Sequence, residues 1–305
     1  RVAGAQPAPP IKDLDPHRKD FVDGKPMTEL TQRRAAIEPE LQAMRALAQR
    51  PDASLEIMEW SILNNELGQP TWEPSSVGTA WTAASVATYM CHGVDRIFHW
   101  ETGTTLRNSS GDGRLVNFYE QWPWNMALLE LFLGGKARFA TYDLPPEPGC
   151  SDYGLNNTVA MIESDKPDEF LILISALACN RTAPFSTKVK WATDSAALRS
   201  GKLAVEQYRM DSSVSVTETI IRELQDKPGT LIHNDSLPYD SGRLLTPAGR
   251  QYAESAANLE RYWAMHAATF QPSAFEGSWA RKGAGIEFEL EVAAASVTVV
   301  RARAK

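Results

Sequence analysis

The sequence predicts an α/β part followed by an antiparallel β-sandwich, and three observations point there. Through residues 28–132, stretches with helical periodicity alternate with short apolar runs, giving a helix-strand-helix-strand-helix order that suits a parallel α/β sheet or barrel. Prolines and glycines then cluster in LPPEPGCSDYG, between Leu144 and Gly154, and mark a break. Beyond it, short apolar runs separated by short polar loops read as antiparallel strands. The expected division is an α/β domain over residues 1–148 and a sandwich with an inserted helix over residues 149–305.

Residues 1–26 carry five of the nineteen prolines and read as an extended loop. From Thr28 to Arg50 the residues Leu30, Ile37, Leu41, Met44, Leu47 and Ala48 fall near one stripe, which predicts an amphipathic helix ended by Pro51. Leu55–Trp60 follows as a short strand, then a polar loop through Asn64, Asn65, Glu66, Gly68 and Pro70. A helix is expected from Thr79 to Cys91, a strand from Val94 to Trp100, and a third helix from Phe118 to Phe132. In the second part, strands are expected at 158–163, 170–178, 188–192 and 203–209. One helix is expected from Thr246 to Phe270, then two strands at 285–292 and 296–302 that could form a hairpin.

Bulk properties narrow the function classes. A formal net charge of −7 argues against a nucleic-acid surface, which needs concentrated Lys and Arg. No apolar run approaches the ~18 residues of a membrane helix. The polar, Pro/Ala-rich start does not read as a signal peptide, and its first residue is Arg rather than Met, so a processed or truncated N-terminus is expected. Cys91, Cys150 and Cys179 have no metal-ligand spacing, and no phosphate loop or Gly-x-Ser-x-Gly occurs, so no metal or organic cofactor is implied. Sequons at Asn108, Asn156, Asn180 and Asn234 permit a secreted route without showing one.

Two carboxylates stand out. Glu59 lies near the end of a short apolar strand, and a carboxylate at the C-terminal end of a parallel strand faces the mouth where barrel active sites form. A retaining glycosidase needs such a fixed nucleophile about 5 Å from a second carboxyl group that acts as acid and then base. The plainer role for Glu59 is a solvated strand end or an ion pair. Glu66, in ILNNELGQPTW, has Asn65 beside it to hydrogen-bond sugar hydroxyls and Trp72 to stack on a pyranose ring. The same residues also make an ordinary turn. His99, Trp100 and Glu101 end the next strand, where they could floor a sugar subsite or fill the core. Strand alternation would set Trp100 on the opposite side from His99 and Glu101. Arg107 and Arg114, in the following loop, could bind the carboxylate of a uronic acid or stay solvated.

These segments resemble glycoside hydrolase family 39, the β-xylosidases and α-L-iduronidases. LEIMEW is similar to the family's seventh barrel strand, with its nucleophile glutamate followed by an aromatic residue. AASVATYMCHGVDRIFHW resembles the next helix and eighth strand, and FYEQWPWNMALLELFLGG the last barrel helix. NNTVAMIE, FLILISALACN and LTPAGRQYAESAANLERY resemble the sandwich domain of the iduronidase branch. The resemblance implies the C-terminal part of a (β/α)8 TIM barrel joined to a β-sandwich, with retaining glycosidase activity. Counted forward from the preceding helix, the nucleophile position is Glu59; counted back from the following one, it is Glu66. The family's Asn-Glu-Pro acid/base motif does not occur, and two barrel strands are present where a closed barrel needs eight. The expectation is a glycosidase completed by a missing N-terminal barrel half, from the same precursor or a partner subunit. The alternative is a non-catalytic carbohydrate-binding or scaffold protein.

Overall fold

Strict alternation in GIEFELEV sets the architecture of the second half: Ile286, Phe288, Leu290 and Val292 turn inward, and Glu287, Glu289 and Glu291 turn outward. In the computed structural model the described residues are 39–40, 42–44, 46, 54, 56–60, 76, 79–80, 83, 94–99, 136–139, 141–143, 157–163, 168–177, 184–230, 246–269, 271–293 and 295–305. The strands are β1 Glu56–Trp60, β2 Arg96–His99, β3 Lys136–Phe139, β4 Thr141–Asp143, β5 Asn157–Glu163, β6 Glu169–Leu177, β7 Phe185–Ala192, β8 Leu203–Asp211, β9 Ser273–Ala274, β10 Gly277–Lys282, β11 Gly285–Val292 and β12 Ala295–Ala304. Helices α1 Ala196–Ser200, α2 Val216–Leu224, α3 Pro247–Ala253 and α4 Ala256–Ala268 accompany them, and residues 39–40, 42–44, 46, 76, 79–80 and 83 are also helical.

β1 and β2 form a parallel pair. The other strands make two antiparallel sheets, one ordered β3-β5-β6-β12-β8-β9 and the other β10-β11-β7-β4. These sheets share one core: Phe170, Ile172 and Ile174 of β6 and Val300 of β12 meet Val189 and Trp191 of β7 and the inward row of β11. The Phe170 ring lies 3.9 Å from that of Trp191 and 5.8 Å from that of Phe288, so aromatic contacts join the layers.

β6 is apolar on both faces, and both are buried. Leu171, Leu173 and Ser175 alternate with the core residues and point to the far side of the larger sheet. There the Ser175 hydroxyl donates to the Ala80 carbonyl at 2.6 Å. Ser76, Thr79, Ala80 and Ala83 are helical and buried at i, i+3, i+4 and i+7, so these four small residues share one face and that face is covered by protein. The larger sheet is thus packed between the smaller sheet and the helical segment lying between β1 and β2.

Several expectations change. The 285–292 and 296–302 strands do not form a hairpin: β11 pairs with β7 and β10, and β12 with β6 and β8, in different sheets. The short connection after Val292 carries the chain from one layer to the other. The hairpin instead joins β10 to β11 through Gly283, whose φ of 59° suits glycine. The sheets also begin ahead of the expected 148/149 boundary, because β3 pairs with β5 and β4 with β7.

The single inserted helix is two helices, α3 and α4, broken at Glu254–Ser255. In one straight helix Tyr252 and Tyr262 would stand about 15 Å apart along the axis. The break lets both hydroxyls reach Glu223 of α2, at 3.4 and 2.5 Å. Met44, expected on a buried stripe, is 47% exposed. The helix expected at 118–132, the three cysteines and the four sequon asparagines lie outside the described residues.

Candidate functional site at the end of the parallel pair

Parallel strands need a crossover, and here the chain leaves β1 at Trp60, passes through the helical residues 76, 79–80 and 83 and returns in β2. The C-terminal ends of both strands therefore fall on the same edge. Glu56 aligns with Arg96 and Ile57 with Ile97, after which the register shifts so that Trp60 aligns with His99. β1 holds one extra residue within that shift, and Glu59 lies inside it. Irregularities of this kind bend a strand and re-aim side chains, and they are frequent beside active sites. At the opposite end the Arg96 guanidinium lies 3.2 Å from the Glu56 carboxylate, which ties the strands together away from that edge.

Of the residues singled out in the sequence, the structure brings Glu59 and His99 to one edge, with Trp60 beside them. Glu66, Asn65, Trp72, Trp100, Glu101, Arg107 and Arg114 lie outside the described residues.

Two further carboxylates are organised by the fold, and neither was singled out from the sequence. Glu223 accepts hydrogen bonds from both terminal nitrogens of Arg261, one at 2.7 Å, and from the hydroxyls of Tyr262 and Tyr252. Burial alone would raise its pKa. The Arg261 and tyrosine hydrogen bonds outweigh that and hold the carboxyl below the usual glutamate range. Burial first, and then the bond to Glu223, push the Tyr262 phenol well above its ordinary value. Both Glu223 oxygens are occupied, so the cluster ties α2 to α3 and α4. It is a joint, not a reactive centre.

A carboxyl with a depressed folded-state pKa stabilises the fold above the unfolded pKa, and this is lost as pH falls through the folded value. The stability difference between wild type and Glu223→Gln should therefore be largest near neutrality and shrink between about pH 5 and about pH 3. Thermal melts of both proteins across that range check this; a difference independent of pH would count against an ionised Glu223.

Glu218 is 2% exposed, and its carboxylate accepts the Ser76 N–H at 3.1 Å. It belongs to a Ser-x-x-Glu box, in which the Ser215 hydroxyl accepts the Glu218 N–H at 3.2 Å. That pattern is readable in the sequence and would have located α2. Among the described residues, no three His, Cys, Asp or Glu side chains converge as metal ligands, and no helix is long and apolar enough to cross a membrane.

No protein-family model matches the chain, and no curated protein sequence does. Its neighbours among solved structures are glycoside hydrolases. A monomeric β-xylosidase from Caulobacter crescentus CB15 is 12% identical at a TM-score of 0.44, the match covering 92% of this chain and 50% of that one. The GH39 enzyme from Xanthomonas axonopodis pv. citri is 13% identical at 0.44, covering 90% and 49%. A family 51 α-L-arabinofuranosidase from Bifidobacterium longum is 12% identical at 0.44, covering 93% and 48%. This chain spans half or less of the length of each. The likeness is one of outline and assigns no residue a role.

Proposed function

We propose that the chain is the nucleophile-bearing part of a retaining glycoside hydrolase that acts on terminal sugars. The observation that carries this reading is the placement of Glu59 in the register shift at the C-terminal end of a parallel strand, on the same edge as His99. The segment resemblances to family 39 point the same way. In this reading β1 and β2 are the last strands of a barrel and the antiparallel sheets form the appended domain. The remaining barrel strands come from a segment upstream in the same precursor or from a partner subunit.

A Glu59 carboxylate oxygen attacks the anomeric carbon while the glycosidic bond breaks. The acid, supplied from outside this chain, protonates the departing oxygen. The same group then deprotonates water, which displaces Glu59 and releases the sugar with retained configuration. Glu66 is the alternative nucleophile. Asn65, Trp72, His99, Trp100 and Glu101 are the residues proposed for the sugar subsite, where Trp100 would need the strand to end or bend to share a side with His99 and Glu101. Arg107 and Arg114 would favour a uronide.

The test starts from the natively produced protein: intact mass, then whatever co-purifies with it, then a panel of chromogenic glycosides. A longer polypeptide or stable partner together with turnover supports the proposal. A monomeric 33.7 kDa protein without turnover sinks it. Sugar binding by such a protein would favour the non-catalytic alternative.

A further inference from the structure

In a capping box, the glutamate three residues into a helix usually reaches back to the N–H of its own cap residue. In α2 that donor is already satisfied, because the Ser215 N–H goes to the Asp211 carbonyl at 3.0 Å. The Glu218 carboxylate turns instead to the Ser76 N–H, 142 positions away in sequence and fully buried. An N–H in a helix finds a side-chain acceptor only in the first turn, where the helix offers no carbonyl. Pro74, two residues earlier, is of a type tolerated at a helix start. Glu218 therefore caps the crossover helix between β1 and β2, where the aligned peptide dipoles favour an anion.

The topology says where that cap stands. The chain leaves β1 at its C-terminal end and must return to the N-terminal end of β2, so the crossover helix begins on the side of the Glu59 edge. Ser175 grips the same helix one turn further on, through Ala80. We propose that Glu218 is a positioning residue for the candidate site. The antiparallel domain reaches across through α2 and fixes the first turn of the crossover helix at the edge that carries Glu59. Calling that edge the site rests on the proposed function; the capping role does not.

Hydrogen exchange on the full chain tests the cap. Glu218→Ala should speed exchange of the amides at 76–83 about tenfold or more and leave those of β6 and β12 unchanged. Glu218→Gln keeps an acceptor oxygen and should stay within about threefold of wild type. Ser76→Pro deletes the donor where a first-turn proline is tolerated, and should reproduce the alanine signature at 79–83. Unchanged exchange at 76–83 in both Glu218→Ala and Ser76→Pro overturns the inference, as does equal acceleration throughout the chain.

In the completed enzyme, kcat/KM for a chromogenic glycoside should fall about tenfold in Glu218→Ala and recover in Glu218→Gln. Local opening of the helix with unchanged kcat/KM overturns the positioning role. Absence of turnover in the wild type removes the proposed function, and the positioning role with it, while the exchange result for the cap still stands.

Discussion

Glu59→Ala is expected to lower glycoside turnover by the completed enzyme by about four orders of magnitude or more. The expectation follows from the proposed double displacement, in which the carboxylate would form the bond that replaces the glycosidic one. Without it the oxocarbenium-like transition state loses both its nucleophile and its counter-charge. Truncation also leaves a space beside the anomeric carbon. Azide should enter there, restore part of the activity with an activated substrate, and yield a glycosyl azide of inverted configuration. Glu66→Ala, at the alternative nucleophile position, should lose less and show no azide rescue if Glu59 attacks. Rescue of the Glu66 variant instead would transfer the nucleophile to that residue, and equal mild losses from both would refute either assignment.

The largest effect on stability is expected at Phe288. Its ring is fully buried and meets Phe170 of the facing sheet at 5.8 Å and Phe275 at 5.9 Å, both edge to face. Phe288→Ala removes the transferred apolar surface and opens a cavity between two sheets whose backbones are held by hydrogen bonds and cannot collapse inward. The cost is about 3–5 kcal/mol. Trp263→Ala makes a useful contrast, since that indole is 40% exposed on α4 and its loss should cost under about 1 kcal/mol. Urea midpoints for the two variants decide the matter; a Phe288 loss no larger than that of Trp263 would show that the two sheets do not share a rigid core.

What could be read from the sequence tracked how much apolar surface each element buries. β6, β11 and β12 were legible because FLILISAL, GIEFELEV and SVTVVRA carry unmistakable apolar runs or alternation. β3, β4 and β10 were not, because KARF, TYD and GSWARK are short or polar, as suits strands at the edges of their sheets. The mistaken hairpin had its own warning. Val292 to Ala295 holds no Gly, Asn or Asp for a tight turn, whereas Lys282-Gly283 does.

At the candidate site, local sequence located the end of β1 at Trp60 and placed the second strand at Val94–Trp100, which contains β2 Arg96–His99. It could not show the register shift around Glu59, since pairing of β1 with β2 is a contact between distant residues. The Glu218–Ser76 bond was illegible for the same reason. The box that forms α2 can be seen in four consecutive residues; the donor its carboxylate finds cannot.

The position of β12 between β6 and β8 has a kinetic consequence. Arg303 pairs with Glu169 and Ala295 with Leu177, so the middle of the larger sheet closes only when segments more than a hundred residues apart meet. Loop closure of that span is paid before any of the pairing is gained, which places such a topology among slow folders. Until closure, β6 offers eight consecutive uncharged residues from Phe170 to Leu177 with an open hydrogen-bonding edge. That is the composition that seeds intermolecular strand pairing. Refolding yield should consequently fall as protein concentration rises, and light scattering during dilution from urea would register it. Scattering that is independent of concentration would mean that β6 is shielded before β12 arrives.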